Sequence, residues 1–450
     1  MSVKLLAFPR PHPAMAEPSS PSPRPIRETP LAFGWDWVGV IGTGQSLAVG
    51  ATPITSTTQP YGNLMLSLGG AVVPGRKPDP WNANLTGLAV APLVEPLRPL
   101  HVDYPAPYPG NLYGETLHSA MARQLTEMAR AHVPGGDYVT VHSVVGECGQ
   151  GIAQLKKHGG PTTGRTGRAY AASLFEVSAI ARLARAAGRS YGVGLVVLTH
   201  GETDWDNPLY REDLIRLHAD YNADLAAVTG QERAIPIYLS QQCSLPNGSG
   251  SVGLASRATQ AQWRLGVERP GDFVCTGPKY QYPAGEKHDG VHLSALGYQM
   301  LGEKVAQVFF ARALLGGDWR PLQPVAVVRE ARTVIVRFHV PVAPLRWDES
   351  FAPPAIAAWR KGRGFELRTP TSSVPIESVA IDGESVRVAA ATALPPGLTV
   401  GYALCSQGAQ LGSHAMAVRW GQLRDSDPFT GSTSVQPNPN HCVSFEVSVP

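Results

Sequence analysis

Several features that would point to a function class are scarce in this chain of 450 residues. Its five cysteines stand singly, without the Cys-x-x-Cys pairs that are typical of zinc sites and dithiol redox sites. The sequence also lacks a run of about 18 apolar residues, which argues against a membrane span. The formal charge is only +3, and no cluster of lysine and arginine is interleaved with aromatic residues. These absences argue against a nucleic-acid binder and favour a neutral or weakly charged substrate.

The amino-terminal segment and the cysteines leave the compartment open. Residues 1–30 are rich in proline, serine and arginine, which predicts an extended or disordered segment. The apolar stretch at 5–8 is too short for a signal peptide, although Ala14-Met15-Ala16 resembles a cleavage site, so secreted, periplasmic and cytoplasmic locations all remain. An odd number of cysteines leaves at least one thiol free, while Cys405 and Cys442 could form a bridge or stay unpaired.

Strand-like and helix-like patterns alternate over the first two thirds of the chain. Strands are predicted at 37–41, 138–145, 193–199 and 235–240. Helices are predicted at 115–130, 172–187, 211–228, 256–267 and 294–315, the last with Ser294 as its N-cap. This alternation predicts an α/β domain over residues 31–318, with a parallel sheet covered on both faces. Sites in such sheets form beyond the carboxyl ends of the strands.

The pattern changes after Gly317. The proline-rich stretch at 319–324 predicts a stiff linker, because each proline fixes its own φ and disfavours helix at the residue before it. Alternating segments at 333–338, 378–381, 385–389 and 399–404 then predict strands without helices. Residues 319–450 are therefore expected to form a β-sandwich accessory domain, and a chain ending near Gly317 is expected to fold alone.

Two short segments far apart in the chain carry the chemistry. Gly42-Thr43-Gly44-Gln45-Ser46 presents a serine hydroxyl at the end of the first predicted strand, and Asp289-Gly290-Val291-His292 places a carboxylate three residues before an imidazole. Serine is a poor nucleophile at neutral pH unless an imidazole takes its proton, and the imidazole works best when a carboxylate fixes its tautomer. The two segments therefore predict a split catalytic triad.

Other interpretations of these segments fit poorly. A dinucleotide-binding fingerprint would need a glycine where Leu47 stands, and it would need an acidic residue about 20 positions later, where the sequence has only polar and apolar residues. The nucleophile elbow of α/β-hydrolases would need a glycine where Ala48 stands. His288 and His292 lie four apart, but Gly290 is a poor helix residue and no glutamate follows the first histidine. Neither a metal ion nor another cofactor is expected.

The first segment resembles the opening block of the SGNH/GDSL hydrolases, in the Gly-Gln-Ser form of the sialate O-acetylesterase-like carbohydrate esterases. The stretch from Asp289 to Ser294, followed by Gly297-Tyr298, is very similar to the closing block of that family. Over residues 35–315 the resemblance implies a three-layer α/β/α, flavodoxin-like fold. It also implies that Ser46 is the nucleophile, that His292 is the general base and then acid, and that Asp289 orients His292.

The same resemblance implies an oxyanion hole. Its donors would be the backbone amide of Ser46 and that of a glycine after the next strand, where Gly149 matches best and Gly146 is the alternative. The third block departs from the family, because Thr203 replaces the usual asparagine and His200 stands where this branch has glutamine. An imidazole N–H can donate, so His200 is predicted to be the third donor. The predicted supporting residues are Gln45, Gly201, Glu202 and Asp204.

These features together predict a serine ester hydrolase that removes short acyl groups, O-acetyl above all, from carbohydrate through an acyl-enzyme. The aromatic residues that could contact a sugar are Trp81, Tyr108, Tyr113 and Trp205. The histidines expected at the surface or at caps are His118, His142, His158 and His218. Two alternatives stay open: the same triad acting on an arylester, a lipid or O-acetylated peptidoglycan, or a carbohydrate-binding protein that kept the fold. The sequence does not set the oligomeric state.

Overall fold

The computed structural model of this chain describes residues 3–5, 34–50, 61–67, 89–95, 97, 114–134, 138–159, 165–246, 257–285, 290–351, 361–404 and 416–450. Within these residues, no helix has the length and apolar character needed to cross a membrane. Several candidate residues lie outside the described ranges, namely Asp289, His288, Trp81, Tyr108, Tyr113 and Cys405. The predictions that rest on those residues remain predictions, except that Cys442 is a free, buried cysteine, so of the two alternatives for it the unpaired thiol is the one observed.

The first two thirds of the chain alternate strands and helices, as the sequence pattern predicts. The strands are β1 (Val3–Leu5), β2 (Trp37–Gly44), β3 (Leu64–Ser67), β4 (Ala89–Pro92), β5 (Val139–Gly146), β6 (Tyr191–Thr199), β7 (Ile237–Gln241), β8 (Ser244–Pro246) and β9 (Phe273–Pro278). The helices are α1 (Ser46–Val49), α2 (His118–His132), α3 (Ile152–Leu155), α4 (Arg168–Ala186), α5 (Tyr210–Thr229), α6 (Arg257–Glu268) and α7 (Ala295–Phe309). A 3-10 turn covers Lys279–Gln281, and a π-helical turn, Phe310–Leu314, extends α7.

Seven of these strands form the central sheet, in the order β4-β3-β5-β2-β6-β7-β9. Neighbouring strands are parallel, except that β3 and β4 are antiparallel. Strands β5, β2 and β6 are buried along almost their whole length, as expected for strands covered on both faces. Gly44 lies opposite both Gly146 and Thr199, so the carboxyl ends of these three strands meet at one edge. A site is expected at that edge.

Helices cover both faces of the central sheet. Successive side chains of a strand point to opposite faces, and β2 illustrates the result. Ile41 belongs to a hydrophobic cluster with α4 and α5, whereas Val38 and Val40 belong to another cluster with α2 and α7. The chain therefore contains a mixed α/β unit with a parallel-rich central sheet, and the coarse fold prediction is confirmed.

The named elements of the described residues from 323 onward are all strands. These strands are β10 (Gln323–Glu330), β11 (Thr333–His339), β12 (Arg346–Trp347), β13 (Phe365–Arg368), β14 (Ser373–Val374), β15 (Ile376–Asp382), β16 (Ser385–Ala390), β17 (Thr399–Tyr402), β18 (Met416–Val418), β19 (Leu423–Arg424) and β20 (Phe445–Ser448). One antiparallel sheet has the order β1-β10-β11-β16-β15, and a second has the order β14-β13-β17-β20. Their inner faces meet in one hydrophobic cluster, which joins Val336 and Val388 to Phe365 and Val400. The expected β-rich carboxyl-terminal region is present.

The first strand belongs to this β-rich region. Val3–Leu5 run antiparallel to β10, with Lys4 opposite Val327. The amino-terminal segment was expected to be extended or disordered, and these residues are extended and paired to a neighbouring strand. The pairing brings the beginning of the described chain to the edge of a sheet formed by residues more than 300 positions later.

The β-rich region and the α/β unit share a core. Trp263 of α6 and Tyr280 belong to the same hydrophobic cluster as the two antiparallel sheets. The Trp263 indole N–H donates a hydrogen bond to Gln323 at 2.9 Å, and the Tyr280 hydroxyl donates to the Cys442 carbonyl at 2.5 Å. The sequence-based boundary at 318/319 therefore crosses a continuous packed interior, which favours interdependent folding of the two parts.

Candidate active site

Ser46 lies at the turn between β2 and α1. The turn requires glycine at position 44, where φ is +139° and a Cβ atom would lie 2.0 Å from the Thr199 carbonyl oxygen. The Gln45 N–H then donates a hydrogen bond to the same carbonyl at 3.3 Å. The backbone of β6 therefore fixes the first residues after β2, and with them the position of Ser46 at the carboxyl edge of the sheet.

The structure brings Ser46 and His292 together. Ser46 Oγ lies 2.7 Å from His292 Nε2, across 246 positions of sequence. Residue Ser46 is 8% exposed, and His292 is half-buried. At this distance the serine O–H can donate to the imidazole nitrogen, which is the contact that a nucleophile and its general base require.

The loop that carries His292 is held by backbone hydrogen bonds to the segment before it. The His292 carbonyl accepts from Gly285 N–H at 2.8 Å, and the Ser294 N–H donates to the Pro283 carbonyl at 2.9 Å. Ser294 Oγ then accepts from Gly297 N–H at 3.1 Å, which confirms the predicted N-cap of α7. Two antiparallel segments therefore fix the backbone position of His292, while its predicted partner Asp289 lies outside the described residues.

Gly149 follows β5, next to the turn that carries Ser46. The Glu147 N–H donates to the Gly44 carbonyl at 2.9 Å, so the loops after β2 and β5 are tied together. A Cβ at Gly146 would lie 2.5 Å from the Gly44 carbonyl oxygen, whereas a Cβ at Gly149 would meet no described atom within 4 Å. Glycine at 146 therefore serves close packing of the strands. Gly149, with φ +67°, has open space on its Cβ side.

His200 makes contacts that differ from those of a predicted oxyanion donor. Its Nε2 lies 3.0 Å from the Gln150 carbonyl oxygen, and its Nδ1 lies 3.1 Å from the Tyr210 hydroxyl. A carbonyl can only accept, so Nε2 carries the proton and Nδ1 accepts from Tyr210. Burial lowers the pKa of His200, although Asp204 acts in the opposite direction, so the ring is neutral near pH 7. Its single N–H is therefore already used, which argues against His200 as the third oxyanion donor.

The predicted supporting residues brace the loop after β6. Asp204 Oδ2 accepts from Ile152 N–H, the first residue of α3, at 2.6 Å. Gln45 Oε1 accepts from Thr203 N–H at 3.4 Å, which ties this loop to the turn that carries Ser46. Gly201 has φ +117° and packs closely against Gln262. These contacts place Gln45, Gly201 and Asp204 around the site in structural positions.

Glu202 forms a buried ion pair that the sequence did not indicate. Its carboxylate lies 2.5 Å from Lys279 Nζ, and both side chains are almost fully buried. Lys279 begins the 3-10 turn after β9. From this turn the chain continues to residues 283–285, which form backbone hydrogen bonds with the segment that carries His292. The pair therefore connects the loop near Ser46 to the segment that supports His292. The sequence signal that could have revealed this pair is a lysine directly after the apolar strand β9.

Two histidines near the site are buried, contrary to the sequence-based expectation. His142 Nε2 lies 2.8 Å from Thr140 Oγ1, which donates to Asn63, so His142 Nε2 must carry the proton. His142 Nδ1 then accepts from His118 Nδ1 at 2.8 Å. Burial lowers the pKa of His118 to about 3 and that of His142 well below its ordinary value. The pair is therefore neutral and supports the packing of α2 on β2 beside Gly42.

The remaining candidates show no catalytic arrangement among the described residues. His158 is exposed, and His218 is buried with its Nε2 3.0 Å from Asn222 Nδ2. Trp205 is half-buried in the loop after β6. No group of three or more histidine, cysteine, aspartate or glutamate side chains that could hold a metal ion occurs within the described part of the chain.

Comparisons with known proteins concern the fold. No protein-family model and no curated protein matches the sequence. A carbohydrate acetylesterase from Xanthomonas citri shares 14% sequence identity, with a TM-score of 0.51 over 91% of this chain and 80% of that one. A protein from Arabidopsis thaliana shares 17% identity (TM-score 0.41, 61% of this chain, 98% of that one), and NanS shares 14% (TM-score 0.29, 48% and 69%). The chain is thus similar in fold to a solved carbohydrate acetylesterase.

Proposed function

We propose that this protein is a serine ester hydrolase of the SGNH type that removes short acyl groups, O-acetyl above all, from carbohydrate. The observation that carries the proposal is the 2.7 Å contact between Ser46 Oγ and His292 Nε2 at the carboxyl edge of the parallel sheet. A hydroxyl held against an imidazole nitrogen at the end of a buried strand is the arrangement that acyl transfer needs.

In the proposed reaction, His292 Nε2 takes the proton of Ser46 as Oγ attacks the ester carbonyl carbon. The tetrahedral intermediate collapses when the bond to the sugar oxygen breaks, and His292 gives its proton to that oxygen. The acyl group is then an ester of Ser46. A water molecule repeats the sequence, with His292 again as base and then acid, and releases the free acid. Asp289 is proposed to hold the imidazole in the tautomer that leaves Nε2 able to accept the proton of Ser46.

The negative oxygen of the intermediate needs donors, and each donor is worth about 3 kcal/mol. We assign this role to the backbone N–H groups of Ser46 and Gly149. The open space beside Gly149 supports its assignment, because an ester can approach a residue that has no side chain there. His200 takes a different part in the proposal: its N–H fixes the Gln150 carbonyl, which orients the loop that contains Gly149.

The carbohydrate part of the proposal has two sources of support. It follows from the fold likeness to the Xanthomonas citri carbohydrate acetylesterase, at 14% identity, and from the resemblance of the sequence blocks. The low formal charge also suits a neutral substrate.

The test compares p-nitrophenyl acetate hydrolysis by the wild type and by Ser46→Ala. We expect kcat/KM to fall by about 10⁴-fold or more, because the remaining groups can only stabilise the intermediate. Ser178→Ala is the matched control, since this exposed serine of α4 contacts only its own helix at 2.7 Å among the described contacts. Equal rates for Ser46→Ala and the wild type would reject the serine mechanism. Acetyl and octanoyl esters, tested side by side, then measure the acyl preference.

A further inference from the structure

A cavity of about 770 Å³ lies between the α/β unit and the β-rich region. One side is formed by Pro283 and by Leu296 and Met300 of α7, and the other side by Trp347 and Phe351. This volume lies in the range of small-molecule sites, which often form at domain interfaces. The Pro283 carbonyl also accepts the hydrogen bond from Ser294 N–H, so the cavity adjoins the segment that supports the loop carrying His292.

Two buried residues of the cavity lining, His441 and Asn438, carry acceptor atoms that have no donor among the described residues. His441 Nε2 lies 3.2 Å from the Asp348 carboxylate, so Nε2 carries the proton and Nδ1 is an acceptor. Asn438 uses its amide N–H to donate to the Met300 carbonyl at 2.7 Å, which leaves Oδ1 as an acceptor. His441 is 4% exposed and Asn438 1%, and neither His441 Nδ1 nor Asn438 Oδ1 has a hydrogen-bond partner within the described ranges. Buried acceptors of this kind normally have partners.

The charges of the lining disfavour an anionic ligand. Asp348, Glu349 and Asp427 contribute carboxylates, and Arg424 is the cation among the described lining residues. Arg424 is already engaged, with Nε 3.5 Å from Asp348 and a terminal N–H donating to the Asp425 carbonyl at 2.8 Å. Burial lowers the pKa of His441, so this ring adds no charge near neutral pH, although Asp348 acts in the opposite direction. A ligand rich in donors and without negative charge fits these groups.

The apolar part of the lining suits the face of a sugar ring. Trp347 and Phe351 are both half-buried, and Leu296 is 36% exposed at the start of α7. The Arg363 guanidinium lies over the Trp347 ring at 5.1 Å, but Arg363 lines the neighbouring cavity and not this one. Aromatic side chains combine a broad apolar surface with little conformational freedom to lose on binding.

We propose that this cavity binds neutral sugar units of the glycan whose acyl groups the catalytic site removes. Sugar hydroxyls would donate to the carboxylates of Asp348, Glu349 and Asp427, and a ring face would pack on Trp347. The inference rests on the proposed function, since it assigns part of the same substrate to a second site. It also narrows the substrate class to neutral glycans, because a sialic acid or uronic acid would bring a carboxylate to an acidic lining.

The experiment measures binding of the full chain carrying Ser46→Ala to an array of neutral and sialylated oligosaccharides. We expect binding to neutral glycans, and a loss of affinity of about tenfold or more when Trp347→Ala is added. Trp319→Ala is the matched control, because Trp319 is also partly buried against a hydrophobic cluster but does not line the cavity. Trp347→Phe should restore part of the affinity.

Separate results identify which proposal fails. In a chain that keeps Ser46, Trp347→Ala should leave p-nitrophenyl acetate kinetics unchanged, because this small ester does not reach the cavity. Absence of binding to neutral glycans at millimolar concentration, preference for sialylated glycans, or equal loss with Trp319→Ala would overturn the inference while esterase activity persists. Glycan binding without p-nitrophenyl acetate hydrolysis would instead reject the esterase function.

Discussion

A chain that ends after Gly317 should be unstable and prone to aggregate, although the sequence pattern predicted that it would fold alone. The cut removes the β-rich partner of one hydrophobic cluster and leaves the α/β side of that cluster in water. The exposed side chains would be Cys243, Trp263, Cys275 and Tyr280. The cut also removes Thr433 and Ser434, whose backbone N–H groups donate to Glu303 of α7 at 2.7 and 2.8 Å.

The magnitude follows from the burial of these side chains. Covering a large apolar side chain contributes about 1.5–3 kcal/mol, and the two small cysteines contribute less. Uncovering the four therefore costs on the order of 5–8 kcal/mol, compared with about 5–15 kcal/mol for the whole stability of a typical domain. The loss is large enough to populate the unfolded chain at physiological temperature.

The measurement compares residues 1–317 with the full chain by thermal circular dichroism, size exclusion and binding of a hydrophobic dye. We expect aggregates or a dye-binding state without a cooperative transition. Addition of residues 318–450 as a separate chain should recover part of the soluble monomer. A soluble, monomeric 1–317 chain with a cooperative transition close to that of the full chain would refute the argument from a shared core.

Three smaller changes test single contacts. Lys279→Met should lower the free energy of unfolding by about 3–5 kcal/mol in urea titrations, because it leaves the Glu202 carboxylate buried without its partner. The double variant with Glu202→Gln should recover most of this loss, because the unpaired charge is then removed. Burial raises the pKa of Glu95 from 4.5 to about 8. The free energy of unfolding should therefore fall as pH rises from about 4.5 to 8, by up to about 1.4 kcal/mol per pH unit, because only the unfolded chain releases the proton in this range. Glu95→Gln should remove this slope. His200→Phe should lower both kcat and the free energy of unfolding, the latter by about 1–3 kcal/mol, because the Gln150 carbonyl loses its donor. A kcat that falls about 10²-fold with unchanged stability would restore His200 as a direct oxyanion donor.

The sequence predicted the long elements well because their periodicity is strong. The helices predicted at 172–187, 211–228 and 256–267 occur as α4, α5 and α6, with ends within four residues. Strand β9 (Phe273–Pro278) was missed, since a short apolar run that contains Thr, Gly and Pro gives little period to recognise. The joint core at the 318/319 boundary was missed as well, because the contacts of Trp263 and Tyr280 depend on how the sheets pack.

The candidate site was predictable where chemistry is encoded locally. The Ser46 and His292 blocks each have a characteristic order of residues, and the structure joins them at 2.7 Å. The contacts of His200 were not predictable, since its partner Gln150 lies 50 positions away and fixes a tautomer that no local pattern reveals. The burial of His142 could have been inferred, because it occupies the middle of a strand expected to be covered on both faces.

The close contacts around Gly44 have a practical consequence for protein engineering. Methyl groups at positions 44 and 146 would collide with main-chain oxygen atoms at 2.0 and 2.5 Å, which no rotamer change can relieve. Mutant libraries should therefore hold these two glycines constant. Diversity is better directed to exposed Thr203 and to the cavity wall at Trp347, where new side chains can be introduced while the backbone keeps Ser46 in place.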